Sequence, residues 1–241
     1  MEQMNRWFTR YLYGIENGVE NAPKSWIVRE GDNRNDPTSY PDYPHPEAKF
    51  VQLFPSAGGN AAGPLSTKQA QGQGSEVLTD DVSIKGSKLA QAESSENRLL
   101  YATPELKKPL HLSGTSKLNI KLASNRPSAN LSVWLVSLPW TRSSKIYDNV
   151  ITRGWADPQN HSSLTESEPL EPGKFYEMSF TLQPDDQVIP AGAKIGLMIF
   201  SSDREFTLWP PAGTQLTVDL DGTSLELPVV GGTSAFEEAF E

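Results

Sequence analysis

The chain has 241 residues, of which 37% are hydrophobic, so it can form one large domain or two smaller ones. Its formal net charge of −9 argues against nucleic acid as a partner, because phosphates would repel such a surface. No run approaches the roughly 18 apolar residues of a membrane helix, and the absence of cysteine excludes disulfides and thiolate metal sites. The first residues lack the basic region and apolar core of a signal peptide, so none is predicted.

The N-terminal segment has the periodicity of an amphipathic helix. Trp7, Tyr11 and Ile15 recur every four residues, and Phe8 and Leu12 lie beside them. A stripe of large apolar side chains must be covered. It packs either onto the strands of this chain or onto a partner domain, and the pattern leaves both open.

β-strands are predicted for most of the remaining chain. Alternating or apolar runs occur at 25–30, 50–54, 99–106, 110–114, 117–124, 131–138 and 147–155. Short strands at spacings of about ten residues are typical of a β-sandwich or jelly roll. Two stretches that are low in bulky residues, 56–75 and 85–97, are predicted to be mobile loops. The acidic tail, 233–241, is predicted to be loosely ordered.

The most regular strand pattern lies in residues 175–227. Apolar residues occupy every second position of 175–181, which predicts a half-buried strand. A connector rich in Pro and Gly follows at 184–192, and the run 194–202 is apolar at consecutive positions, which predicts a central strand covered on both faces. Asp221 and Gly222, between two alternating runs, predict a β-hairpin because a tight turn needs residues that tolerate positive φ.

The sequence contains no recognisable catalytic site. It has no G-x-S-x-G motif, in which a strained turn exposes a nucleophilic serine. His45 lies in a Pro-rich loop, His111 is predicted to project from the outer face of a strand, and His161 lies in a polar loop. The pair Asp185-Asp186 is interpreted as a turn. No metal or cofactor is predicted, although a calcium site built from loop carboxylates stays open.

Two local clusters have the composition of a binding site. Arg153, Trp155 and Asp157 bring a guanidinium, an indole and a carboxylate to one strand end. Trp209 follows a second strand in the same way. These residues form either a ligand or interdomain site, or a structural plug in which Arg153 pairs with Asp157. The plug is the favoured interpretation.

One long segment carries a family resemblance. Residues 151–220 read ITRGWADPQNHSSLTESEPLEPGKFYEMSFTLQPDDQVIPAGAKIGLMIFSSDREFTLWPPAGTQLTVDL. The segment closely resembles the C-terminal domain of bacterial X-Pro dipeptidyl-peptidases, within the cocaine-esterase-like serine hydrolases. The motif PxxQVIPAG, followed by an apolar strand that ends in SSD, is specific to that group. Residues 99–124 resemble the opening strands of the same domain, and residues 4–28 resemble the last helix and strand of the hydrolase domain that precedes it.

The resemblance implies an all-β fold, a jelly-roll β-sandwich of galactose-binding-domain-like topology with a short N-terminal helix. It divides the chain into 1–24, a remnant of the preceding α/β-hydrolase domain, 25–232, the sandwich, and 233–241, the tail. In that family the Ser-Asp-His triad lies on the α/β-hydrolase domain, which is the implied partner. No position of this chain matches a triad member, so no catalytic residue is assigned.

The resemblance also assigns the helical stripe to the contact with that partner. Without the partner, the stripe of Trp7, Phe8, Tyr11, Leu12 and Ile15 is expected to fold back onto the sandwich or to mediate self-association. The implied localisation is bacterial, either extracellular or cytoplasmic, with secretion favoured.

Three functions stay open. The first is a non-catalytic module that packs on a serine peptidase domain and shapes its active-site entrance. The second is a carbohydrate- or surface-polymer-binding module, which needs two or three exposed aromatic rings. Its candidate rings are Trp134, Trp140, Trp155 and Trp209. The third is a free-standing hydrolase with an unfamiliar site.

Overall fold

The computed structural model describes residues 2–241 and consists mainly of β-strands. The helices are α1 (Glu2–Tyr13), α2 (Gly86–Gln91) and α3 (Gly232–Glu238), with 3₁₀ turns at Val19–Asn21, Ile146–Asp148 and Pro158–Asn160. The first strands are β1 (Ser25–Ile27), β2 (Thr38–Tyr40), β3 (Ala48–Pro55), β4 (Gly63–Ser66), β5 (Ser75–Thr79), β6 (Leu99–Ala102) and β7 (Leu110–Gly114). The others are β8 (Lys117–Ser124), β9 (Leu131–Leu138), β10 (Val150–Ala156), β11 (Phe175–Thr181), β12 (Asp185–Ile189), β13 (Lys194–Phe200) and β14 (Gln215–Val230).

Strands β3 to β14 form two sheets around a common core, and β1 and β2 form a separate antiparallel pair. One sheet has the order β10-β9-β13-β6-β4, in which the β4-β6 pair is parallel. The second is built around β14, which pairs with β8 and β7 along one side and with β5 and β3 along the other. Strands β11 and β12 extend it through β8 and β7, and the β3-β4 pair joins the two sheets. The fold is therefore an all-β sandwich with a short N-terminal helix, as predicted.

Strand β13 is covered on both faces, which confirms the prediction from its continuous apolar run. Ile195 and Ile199 belong to the main cluster between the sheets. Met198 and Phe200 point the other way and pack with Leu89 of α2 in a second cluster. Since successive side chains of a strand alternate between faces, a strand with two apolar environments must be apolar throughout.

The alternation predicted for residues 175–181 is also confirmed. In β11, Tyr176 is buried, and Met178 and Phe180 are half-buried against the main cluster. The intervening residues Glu177 and Ser179 are exposed. The strand thus has one face on the core and one in solvent, as an antiparallel outer strand requires.

The hairpin predicted at Asp221-Gly222 is wrong, because β14 runs through this dipeptide without reversing. Both halves of β14 pair with β8, and the register shifts between Asp219 and Ser224. The extra residues form a bulge whose polar groups are satisfied locally, since Gly222 N donates to Asp219 Oδ1 at 3.0 Å. Gly222 does not adopt the positive φ that the predicted turn would require.

The interpretation of Asp185-Asp186 as a turn is also wrong. The segment predicted as a connector contains β12, which pairs with β7 in the register Asp186↔Ser113 and Val188↔His111. Polar residues in this strand hid it from the alternation pattern. They are tolerated because the carboxylate of Asp186 is compensated by neighbouring polar groups, described below.

Three segments predicted to lack structure contain regular elements. The stretch 56–75 includes β4, and the stretch 85–97 includes α2, whose Leu89 and Ala90 are buried. The tail predicted to be loose contains α3 instead. Phe236 of α3 is 4% exposed and belongs to the main core cluster, because the acidic residues around it lie on the outer side of the helix.

Candidate functional site

One predicted site forms around Arg153 of β10. The Arg153 guanidinium carbon lies 4.5 Å from the ring centroid of Phe206, 5.6 Å from that of Trp134 and 5.8 Å from that of Trp155. Both indole N–H groups donate to Asp203 Oδ2, Trp134 at 2.9 Å and Trp155 at 3.0 Å. We call these five residues the Arg153 cluster. It combines a cation–π arrangement with a buried carboxylate that fixes the two indoles.

The structure brings Arg153 and Trp155 together but not the other two predicted members. Asp157 accepts a hydrogen bond from Gln159 N and caps a 3₁₀ turn, so the predicted pairing with Arg153 is wrong. Trp209 is 58% exposed, and Phe206 takes the stacking position on Trp155 at 5.3 Å. Sequence reasoning missed Asp203 and Phe206. The sequence feature that could have revealed them is the polar turn directly after the apolar strand β13.

A second polar cluster holds the segment between β1 and β3, which includes β2 and which we call the linker, against the sandwich. Asp186 Oδ1 lies 3.1 Å from Arg29 Nε and 3.0 Å from His111 Nε2, and the Tyr40 hydroxyl donates to the same oxygen at 3.3 Å. Burial favours a raised pKa for Asp186, but hydrogen bonds from His111 and Ser113 outweigh it and keep this pKa below its usual value. The carboxylate therefore stays charged and anchors the linker. His111 projects from the face of β7 opposite the buried Leu110 and Leu112, as predicted, and it is half-buried because His45 and Asp186 contact it there.

Ser113, His111 and Asp186 form a serine, histidine and acid group that the sequence did not reveal. Ser113 is fully buried, and its Oγ accepts a hydrogen bond from His45 N at 2.9 Å. A nucleophilic triad requires an exposed serine whose hydroxyl contacts the histidine. Here His111 and Ser113 both contact the aspartate, and the hydroxyl is enclosed. The arrangement is structural rather than nucleophilic.

His45 and His161 also take part in structural contacts. His45 packs on Tyr40 at 4.9 Å, and its Nδ1 accepts a hydrogen bond from Glu47 N. His161 packs on Tyr176 at 4.4 Å. Within residues 2–241, no group of three or more His, Cys, Asp or Glu side chains has the geometry to hold a metal ion.

Asp185 is the most strongly perturbed carboxyl group near the linker. Burial, followed by the negative charge of Glu30, raises its pKa to about 7. The ordinary value in an unfolded chain is about 3.9, so the native state binds the proton more tightly. Stability contributed by this proton is present at low pH and is lost as the pH rises through about 7.

We expect the Asp185→Asn variant to be more stable than the wild type at pH 8, by about 1–3 kcal/mol, because the amide resembles the protonated acid. At pH 4 the two proteins should differ little. Urea unfolding at both pH values measures this, with Asp36→Asn as the control at an exposed position. Equal stability differences at the two pH values would contradict the prediction.

Helix α1 presents an exposed apolar face. Its exposed side chains are Trp7 (51%), Phe8 (43%), Tyr11 (55%) and Leu12 (69%), followed by Ile15 (55%) just beyond the helix. No residue of α1 in the described chain is buried. Asn17 Nδ2 donates to Arg6 O at 2.7 Å, which fixes the following turn against the helix. The helix is thus not folded back onto the sandwich.

Beside this face lies a cleft of about 480 Å³, which we call the α1 cleft. It is lined by Trp7 and Tyr11 of α1 and by Trp26 of β1, which is 48% exposed. The apolar surface therefore continues from the helix onto the first strand. No helix in residues 2–241 is long and apolar enough to cross a membrane.

Fold and site together define a class of protein. The described residues form a β-sandwich whose polar clusters are structural, with an apolar helix on the outside. These features define an all-β sandwich module with an exposed apolar helix. The family model of the X-Pro dipeptidyl-peptidase C-terminal non-catalytic domain matches residues 17–235, and the chain belongs to this family.

Curated relatives agree with this assignment. A Rhodopirellula baltica protein, provisionally named Xaa-Pro dipeptidyl-peptidase, is 59% identical over 239 residues, which cover 98% of this chain and 38% of that protein. A Bacillus anthracis protein with the same provisional name is 36% identical over 228 residues, which cover 94% of this chain and 36% of that protein. The chain thus spans just over a third of the length of these relatives.

Solved structures show the same fold. An aminopeptidase from a marine sediment Thaumarchaeota archaeon has a TM-score of 0.70 at 18% identity, covering 94% of this chain and 43% of that one. An α-amino acid ester hydrolase has a TM-score of 0.69 at 16% identity, covering 94% of this chain and 44% of that one. At these identities the likeness concerns the fold alone.

Proposed function

We propose that this chain is a non-catalytic module that packs against an α/β-hydrolase domain and forms part of the wall of that domain's active-site entrance. The observation that carries the proposal is the exposed apolar face of α1, which continues onto Trp26. Contiguous apolar surface of this kind is typical of a contact with another polypeptide.

The position of α1 in the chain supports this proposal. The family model begins at residue 17, after α1 has ended. The Rhodopirellula baltica relative nevertheless covers 98% of this chain, and most of its length lies outside the match. An extra polypeptide of that size is the natural partner for a helix that the sandwich leaves uncovered.

Hydrogen exchange of α1 tests the proposal. An uncovered helix of 12 residues is marginally stable, so its amides should exchange rapidly in the isolated chain. In a chimaera, in which this chain replaces the matched part of the Rhodopirellula baltica relative, we expect exchange in α1 to slow by about ten-fold or more. Equal exchange rates in the chain and the chimaera would contradict docking through α1.

Two variants of the chimaera sharpen this test. Replacing Trp7 and Leu12 together by serine should restore the rapid exchange of the isolated chain. Replacing Phe50 by serine is the matched control, because Phe50 is 59% exposed but belongs to β3 and not to the proposed surface. The control should leave the exchange of α1 slow.

Self-association provides an independent prediction. Without its partner, the α1 face should pair with a second copy and raise the scattering mass above the 26.5 kDa of a single chain as concentration rises. A chain that begins at Ser25 should remain monomeric. Light scattering measures the mass of both proteins in solution. Identical monomeric behaviour of the two would count against the prediction.

The structure gives little support to a carbohydrate-binding module. A sugar platform needs two or three exposed aromatic rings. Of the four candidates, Trp134 is 4% exposed, Trp140 and Trp155 are half-buried, and Trp209 is 58% exposed. The Nε1 groups of Trp134 and Trp155 are also bound to Asp203. One exposed indole does not form a platform.

A further inference from the structure

Three neighbouring clefts, each sharing lining residues with the next, lie between α1 and Arg153. The α1 cleft shares Trp26 with a second cleft of about 310 Å³. The second cleft shares Glu30 and Asp185 with a third of about 130 Å³, which reaches Arg153. Since neighbouring clefts share lining residues, one continuous surface runs from the helix to Arg153.

The strand beneath this surface, β12, has unsatisfied polar groups. Asp185 Oδ2, Asp186 Oδ2 and Gln187 Oε1 are buried and have no hydrogen-bond partner within residues 2–241. Buried polar atoms are nearly always paired in folded proteins. In addition, β12 lies at the end of its sheet and pairs with β7 alone. The chain covers part of this edge itself, since Glu30 N donates to Asp186 O at 3.2 Å and the Tyr43 hydroxyl donates to Asp185 O at 3.1 Å. The buried acceptors that stay unpaired indicate that another polypeptide completes this side of the sandwich.

Arg153 stands at the far end of this surface as an unpaired cation. Its guanidinium lies over Phe206 at 4.5 Å, and within residues 2–241 it has no ion pair and donates no hydrogen bond. The nearby carboxylate of Glu205 is already paired with Lys85 Nζ at 2.8 Å. Stacking uses the flat face of a guanidinium and leaves the N–H groups at its edge free to bind a carboxylate.

We propose that Arg153 receives a carboxylate from an Asp or Glu side chain of the α/β-hydrolase domain, at the end of a docking surface that begins at α1. The inference rests on the proposed function and extends it to a specific pairing. A planar guanidinium, fixed by three aromatic rings, matches a carboxylate with two parallel hydrogen bonds. The partner domain is favoured over a second copy as the source, because most of the length of the Rhodopirellula baltica relative lies outside the part that this chain matches.

Zero-length crosslinking in the chimaera tests this pairing. A carbodiimide joins a lysine amine to a carboxylate that it contacts, so the Arg153→Lys variant should give an amide bond between residue 153 and an acidic residue outside this chain. Peptide mapping by mass spectrometry identifies the bond. The Lys85–Glu205 pair should crosslink in every sample and serves as an internal standard.

A matched variant and the hydrogen exchange of α1 distinguish a failure of the Arg153 pairing from a failure of the proposed function. Arg142→Lys places an amine at an exposed position outside the three clefts. No crosslink to the hydrolase domain should form from that position. A crosslink from position 153 only to Glu205, or to a second copy of the chain, would overturn the proposal. If α1 is protected in the chimaera but no interdomain crosslink forms at 153, the pairing fails while the proposed function holds. If α1 is also unprotected, the proposed function fails as well.

Discussion

Replacing Arg98 by methionine should lower the free energy of unfolding by about 3–5 kcal/mol. Arg98 is fully buried, and its guanidinium donates to four backbone carbonyl oxygens. They belong to Gly59 (2.7 Å), Ala61 (2.6 Å), Leu89 (3.2 Å) and Ala92 (2.8 Å). Methionine fills most of the volume but removes the donor from Ala61, Leu89 and Ala92, whereas Gly59 O keeps its bond from Leu100 N at 2.8 Å. The lost hydrogen bonds are the larger cost. The side chain thus ties the loop before β4 to α2.

Urea unfolding followed by circular dichroism measures this loss. Arg98→Lys is the matched control, because it keeps the charge but cannot reach four acceptors with its three donors. We expect it to lose about half as much stability as the methionine variant. A loss below about 1 kcal/mol for Arg98→Met would show that water or rearranged backbone replaces the guanidinium.

Replacing Trp134 by alanine should cost about 3–5 kcal/mol of unfolding free energy. The indole is 4% exposed and packs edge-on against Phe200 at 5.6 Å in the cluster beneath α2. Gly86 of α2 lies so close that a Cβ there would come within 2.6 Å of the ring. The alanine variant therefore leaves a cavity between the helix and the sheet, and Asp203 loses one of its two indole donors.

The Trp134→Phe variant separates packing from hydrogen bonding. Phenylalanine keeps most of the apolar surface but has no N–H group for Asp203, so we expect a loss of about 1–2 kcal/mol. Thermal and urea unfolding of both variants make the comparison. Equal losses for the alanine and phenylalanine variants would contradict the view that packing dominates at this position.

The sequence correctly predicted those strands of the sandwich in which each face lies in a single environment, either apolar or aqueous. In β11 and β13 the apolar pattern follows directly from the faces that the strands present to the core. The pattern failed in β12 and at the bulge of β14, because both contain polar residues whose contacts are made with distant partners or with local backbone. Asp186, for example, is compensated by Arg29 and His111, which are far away in the chain. Such long-range compensation leaves no local signal.

The Arg153 cluster was predicted only in part, again because some of its contacts join residues that are far apart in the chain. Arg153 and Trp155 are two residues apart on one strand, so their proximity is local. Asp203 and Phe206 come from the turn after β13 and reach the cluster only through the pairing of β9 with β10 and β13. The apolar stripe of α1 was predicted from the sequence. Its exposure depends on the packing of the sandwich, which leaves the helix uncovered.

The docking surface and the enclosed Ser113 lead to one account of the chain. Under the proposed function, α1, β12 and Arg153 contact the hydrolase domain, while Ser113, His111 and Asp186 anchor the linker. The module we propose would then act on the partner's reaction through its position and shape.

Turnover of a chromogenic X-Pro substrate by the purified chain tests this account most directly. We expect the wild type and the Ser113→Ala variant both to show no turnover above that of buffer. Turnover that survives rigorous purification and is lost on replacing Ser113 or His111 by alanine would contradict the account.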